Sequence, residues 1–164
     1  METVAVFFEE PVRTYGIKGQ DGCLLLSLEC SPEQLTRLAR LMAALDPPLI
    51  PVSFGIMWEG ETAIVQACLP EDQALRLAQV ADQAGASWRG REAAAVVNLQ
   101  GPHFGDRWGL AEKALTGLEE AGTAPLSLMG VTHTLQVVLR SVDVQAALAG
   151  LGKRFVAPET EHGG

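Results

Sequence analysis

The 164 residues are 48% apolar and 20% charged, enough to bury a core and too hydrophobic for a disordered segment. Twelve Lys and Arg stand against twenty Asp and Glu, for a net charge of −8. The densest basic stretch, Arg89 to Arg91, is followed at once by Glu92, so nucleic-acid binding is disfavoured. No apolar run approaches the roughly 18 residues of a membrane span, and Met1-Glu2-Thr3 does not open a secretory leader. A cytoplasmic protein with no membrane contact is the expectation.

The element pattern begins with a strand over Val4 to Phe8, broken at Glu9-Glu10-Pro11. A second strand follows over Val12 to Lys18, then a turn over Gly19 to Gly22 and an apolar β run from Cys23 to Leu28. Ser31-Pro32-Glu33-Gln34 is a helix start: Ser31 caps, Pro32 suits the first helical position, and Gln34 completes a capping box. Leu35, Leu38, Leu41, Met42 and Leu45 give that helix one apolar face, and Asp46-Pro47-Pro48 stops it. Ile50 to Trp58 and Thr62 to Leu69 form a hairpin around Glu59-Gly60-Glu61. Pro70-Glu71-Asp72 opens a helix to Ala84, with Gly85 as its left-handed terminator and Ser87 to Arg91 as a closing strand.

The order then repeats. Ala94 to Leu99 is a strand, Gly101 to Arg107 a loop, and Trp108 to Ala121 a helix ended by Gly122. Pro125 to Val131 and Thr134 to Leu139 make a second hairpin, and Ser141 caps a last helix with Val144, Ala147, Leu148, Leu151 and Phe155 on one face. Residues 158–164 read as a loose polar tail. Ile50-Pro51-Val52-Ser53-Phe54 reappears, type for type, as Ala124-Pro125-Leu126-Ser127-Leu128. A repeat of roughly 70 residues is too long for a solenoid and suits a small α/β module. The fold class is therefore α+β: two ferredoxin-like βαββα(β) modules packed together, antiparallel sheets with helices on one face. The boundaries are residues 20–91 for the first and 1–19 plus 92–157 for the second, the N-terminal strand joining the second sheet. Each sheet leaves a face or edge to cover, so side-by-side association is expected.

Ala95 to Leu139, with Gly101, Trp108-Gly109, Gly122 and the closing hairpin, resembles the second ACT domain of aspartokinase regulatory regions. Glu9-Glu10-Pro11-Val12 through Tyr15-Gly16-Ile17 resembles the lead-in to the first. Ser31-Pro32-Glu33 falls at that domain's strand-to-helix loop, and Ile50 to Phe54 at its second strand. In length the chain is similar to the separate small β subunit of some aspartokinases, and the kinase half is missing. The resemblance implies a regulatory protein, not an enzyme, that binds an amino acid such as lysine or threonine and forms a homodimer through its ACT modules. A kinase or other enzyme partner is implied too. The runner-up is a degenerate ACT pair that serves as a dimerisation or regulatory subunit and has no ligand of its own.

Carried over by position, the first ligand site comprises Glu33 and Thr36 on the loop with Ser53, Phe54 and Gly55 on the second strand. The second comprises Phe104, Asp106, Arg107 and Gly109, with Gly130 and Val131 opposite. A loop entering a helix offers unpaired N–H groups and a positive dipole end to a carboxylate. Departures from the family pattern are Thr36 for a loop glycine, Glu33 for Asp, Pro51 and Ser53 for Asn and Asp, and Val131-Thr132 for Ser-Glu. Trp108 reads as a packing anchor, and Trp58 as a candidate interface residue. Ser53 and Ser127 read as outward- or interface-facing. Cys23, Cys30 and Cys68 read as buried thiols, and His103, His133 and His162 lack metal-ligand spacing. His103 is the one candidate acid or base and has no assignable nucleophile. No catalytic residue, cofactor or metal is expected.

Overall fold

Among residues 11–102, 104, 107–131 (the Val131 side chain apart) and 133–156, the computed structural model describes eight strands and four α-helices. In chain order these are β1 (Val12–Arg13), β2 (Gly16–Cys30), α1 (Pro32–Ala43), β3 (Ser53–Glu59), β4 (Thr62–Pro70) and α2 (Glu71–Ala84). They continue as β5 (Ser87–Gln100), α3 (Leu110–Glu120), β6 (Ser127–Val131), β7 (Thr134–Arg140), α4 (Val144–Arg154) and β8 (Phe155–Val156). The chain divides into one unit over Asp21–Ala95 and a second built from the described parts of 1–20 and 96–164. The expected strand at Val4 to Phe8 and the tail at 158–164 lie outside the described residues.

In the 21–95 unit the strand order is β3-β4-β2-β5, the order of a ferredoxin-like split βαβ unit. Period-two alternation builds its core. Leu26, Leu28 and Cys30 of β2 and Ala63, Val65, Ala67 and Leu69 of β4 pack with Leu38 of α1 and with α2. Helix α1 starts as its sequence dictates: Gln34 N–H donates to Ser31 Oγ at 3.2 Å, and Ser31 N–H to Gln34 Oε1 at 2.7 Å. Gln34 also donates through Nε2 to the Gly85 carbonyl. Gly85 ends α2 with φ 75°, and Gly60 turns the β3–β4 hairpin with φ 63°. β3 pairs with β4 along its length and has no described strand on its other side. It leaves Phe54, Ile56, Met57 and Trp58 exposed.

The second unit repeats the plan with strand order β2-β5-β7-β6. β1 pairs with β8 in parallel, Val12 opposite Phe155, and Tyr15 N–H donates to the Gln100 carbonyl at 2.6 Å. α3 and α4 meet at Gly117 and Gly150, where backbone touches backbone, and the Arg154–Glu120 ion pair joins the same two helices.

Four expectations change. The turn expected over Gly19 to Gly22 is instead part of β2, because a strand with neighbours on both sides takes ladder bonds that outweigh local turn preference. The separate strands at Ser87 to Arg91 and Ala94 to Leu99 are one continuous β5. Ser141 does not cap α4: Ser141–Asp143 form a 3-10 turn held by an Arg140–Asp143 ion pair at 2.7 Å, and α4 starts at Val144. Phe155 leaves the helix to pair in β8.

Candidate functional site

The loop from Gly101 to Gly109 is shaped by its two end glycines. The Phe104 ring lies flat on Gly101: a Cβ there would stand 2.7 Å from Phe104 Cδ1 and 2.8 Å from Cζ. Gly101 N–H donates to the His133 carbonyl at 3.3 Å. Phe104 is 6% exposed and packs on Phe155 with ring centroids 6.4 Å apart. At the other end Gly109 takes φ 80°, a left-handed conformation that only glycine adopts without strain. This conformation delays the helix, so α3 begins at Leu110 and not at Trp108. Among the described residues no side chain caps it. The first helical bond runs from Lys113 N–H to the Gly109 carbonyl at 2.9 Å, so the N–H groups of Leu110, Ala111 and Glu112 have no acceptor within the helix.

Beside that helix end lies a cleft of about 410 Å³. The loop and α3 contribute Phe104, Arg107, Trp108, Gly109, Leu110 and Ala111, and the β6–β7 hairpin contributes Leu128, Gly130, Thr134 and Leu135. Leu128 and Gly130 are two apart on β6 and share one strand face, and Gly130 pairs with Leu135. Arg107 is the one charged side chain among the described lining residues. Of the residues expected in the second site, Phe104, Arg107, Gly109 and Gly130 meet here. Val131 is the last residue of β6, opposite Thr134, and Asp106 lies outside the described residues, as do His103 and His162. Sequence reasoning missed Leu110, Ala111, Leu128, Thr134 and Leu135. Trp108 corrects an expectation, because it is 87% exposed and at the cleft mouth, not a packing anchor.

The first expected site is not assembled within its unit. Glu33 and Thr36 lie on α1 and not on a loop, because the capping box starts the helix at Pro32. Thr36 Oγ1 donates to the Pro32 carbonyl at 2.9 Å. Ser53, Phe54 and Gly55 pair with Cys68, Ala67 and Gln66. The α1 end of the sheet is elsewhere, at Cys30, opposite Ala63 and in turn Trp58. A cleft of about 590 Å³ does lie there, lined by Glu29, Ser31, Gln34, Trp58, Glu61 and neighbours. None of the five expected residues lines it, and the capping box already occupies two of its polar groups. Nearby, Arg89 and Glu59 pair at 2.8 Å on the surface, which raises the guanidinium pKa further.

The three cysteines are buried and free. Burial raises all three thiols and pushes Cys68 up to about 12. Cys68 also donates to Cys23, which holds its proton more firmly. Such thiols are poor nucleophiles. Among the described residues no group of His, Cys, Asp and Glu could hold a metal ion, and no helix is long and apolar enough to cross a membrane.

No protein-family model and no curated protein sequence matches the chain. Solved structures do. The ligand-free regulatory subunit of aspartate kinase from Thermus thermophilus superposes with a TM-score of 0.73 at 11% identity, covering 86% of this chain and 97% of that one. The regulatory subunit from Thermus flavus gives 0.72 at 12% identity, with the same coverage. The aspartate kinase of Synechocystis gives 0.73 at 16% identity, covering 85% of this chain and 26% of the kinase. This chain has the α+β fold of aspartate kinase regulatory subunits, the ACT-type fold its sequence resembles.

Proposed function

We propose that this protein is a regulatory module that binds a small effector, an amino acid, in the cleft at the start of α3. Lysine and threonine are the effectors that the aspartokinase resemblance implies. The observation that carries this reading is the convergence of Phe104, Arg107, Gly109 and Gly130 on one cleft beside an uncapped helix end. Free N–H groups, the helix dipole and Arg107 together suit an α-carboxylate. Asp106, in the same loop, is the proposed partner of the α-ammonium. The effector favours one arrangement of the protein and so biases a partner enzyme, a kinase being the one implied.

The test is calorimetry with a panel of amino acids at millimolar concentration, on the native chain and on Gly130→Phe. A Cβ at Gly130 meets nothing within 4 Å, so a side chain can start there without a backbone collision and the phenyl group is placed to obstruct the cleft; an unchanged melting profile checks that the variant folds. Binding that is lost in Gly130→Phe supports the reading, and no heat with any amino acid refutes it.

A second reading, assembly through the modules without a ligand, is favoured by β3. Its outer edge and its exposed Phe54, Ile56, Met57 and Trp58 suit pairing with a second copy of the chain. Sedimentation should then find a dimer that Ile56→Lys dissociates.

A further inference from the structure

Resting on the assembly reading above, we infer that β3 joins β3 of a second copy of the chain in one register, antiparallel across a two-fold axis at Ile56. Phe54 of each copy then stands opposite Trp58 of the other. β3 is seven residues long, and its outer edge meets no described strand. Natural sheets guard such edges with lysine, proline or a bulge. Ser53 to Glu59 contains no lysine and no proline, and it pairs with β4 in unbroken register. In place of a guard it presents four large apolar side chains, Phe54, Ile56, Met57 and Trp58, each between 39% and 57% exposed. An unguarded apolar edge of this length suits another strand.

The alternation of side chains selects the register. Phe54, Ile56 and Trp58 stand opposite Ala67, Val65 and Ala63 of β4, on the face where the core with α1 and α2 is built. Gly55 and Met57 lie on the other face. A slip of one residue would put the helices of the two copies on opposite faces and oppose the apolar row to the wrong residues. Ile56 is the midpoint of β3, so an axis there pairs the whole strand with itself. Ile56 meets Ile56, Phe54 meets Trp58, Gly55 meets Met57, and Ser53 meets Glu59. Two aromatic pairs thus flank the central isoleucines, a favourable class of cross-strand contact, and each Met57 lies beside a glycine that leaves it room. No like charges face each other, and Glu59 is already held by Arg89 of its own chain at 2.8 Å. Moving the axis to Met57 sets Phe54 against Gly60 of the turn, and moving it to Gly55 sets Trp58 against Val52, outside the strand. Either shift separates both aromatic pairs. The same patch meets itself, so the contact closes at two copies.

The experiment combines sedimentation of the full native chain with oxidative cross-linking of cysteine variants, read on non-reducing gels. Cys23, Cys30 and Cys68 are buried, so the native chain is the blank. Residues directly opposite on antiparallel strands have Cα atoms about 4.5–5.5 Å apart, within disulfide reach. Ile56→Cys, on the axis, should therefore give a covalent dimer as a single variant. Phe54→Cys alone and Trp58→Cys alone should not, because each is about 13 Å along the strand from its own copy. The double variant Phe54→Cys, Trp58→Cys should cross-link. As a second readout, Trp58→Ala should weaken the dimer about tenfold or more, and Phe54→Ala should weaken it less in the Trp58→Ala background than alone. A native dimer that cross-links through Phe54→Cys alone, or that shows no coupling between Phe54 and Trp58, overturns the register and leaves the assembly reading standing. A native chain that stays monomeric at about 100 μM, a concentration above the Kd of an ordinary specific interface, removes both.

Discussion

The contact between α3 and α4 makes a quantitative prediction, because one helix carries both the perturbation and its control. A Cβ on Gly150 would collide with the Gly117 carbonyl oxygen and stand 2.8 Å from Ala121 Cβ. Two residues on, a Cβ on Gly152 meets nothing within 4 Å. Replacing glycine by alanine in a helix interior gains roughly 0.5–1 kcal/mol from backbone entropy wherever there is room, so Gly152→Ala should stabilise by about that amount. Gly150→Ala receives the same gain and pays for overpacking, about 1–3 kcal/mol. The upper end applies, since the obstacle is backbone and cannot rotate away. The net expectation is destabilisation by about 1–2 kcal/mol, hence a gap of roughly 2–3 kcal/mol between the two variants. Urea unfolding followed by far-UV circular dichroism measures it directly. Equal midpoints for the two variants, or a stabilised Gly150→Ala, would refute the claim that glycine lets these helices touch.

Three further outcomes follow from the geometry. Gly101→Ala should dislodge the Phe104 ring and cost about 2 kcal/mol or more, and the cost should shrink in a Phe104→Ala background if the two residues couple as drawn. Ser31→Ala should lose about 1 kcal/mol by opening the capping box of α1, read as a lower urea midpoint. Cys68 titrates near 9.0 when exposed and is pushed up to about 12 in the fold, so the folded chain holds its proton where the unfolded chain has lost it. Its stabilisation is complete below pH 9 and is lost as pH rises toward 12, by about 1 kcal/mol at pH 10. Cys68→Ala should flatten the fall in stability between pH 8 and pH 10, and an unchanged slope would contradict the burial argument.

Where local chemistry decides, the sequence was sufficient. Ser31 and Gln34 make their reciprocal bonds, and Gly60, Gly85 and Gly122 take the positive φ that their positions suggest. Failures occur where tertiary pairing outvotes local preference. Gly19 to Gly22 carries strong turn signals, yet β2 continues through it, with the signal surviving only at Gly22, which takes φ 74° and donates its N–H to Asp21 Oδ1 at 2.8 Å. Trp108 follows helical periodicity into α3, but the left-handed Gly109 bars the helix from reaching it. The cleft divides along the same line. Phe104, Arg107, Gly109 and Gly130, at loop and strand positions that carry the family resemblance, line one cleft. Leu128, Thr134 and Leu135 depend on the register of β6 against β7, which no local pattern specifies. The residues expected in the first site are set apart by the same register, which holds Ser53, Phe54 and Gly55 away from α1's start.

The reciprocal Ser31–Gln34 pair has one last consequence. A duplicated module ordinarily provides two equivalent receptors, but here one helix mouth is stoppered by its own side chains, while no described side chain caps its twin. Titration should therefore saturate at one equivalent per chain with a simple hyperbolic isotherm. Any cooperativity would have to arise between chains.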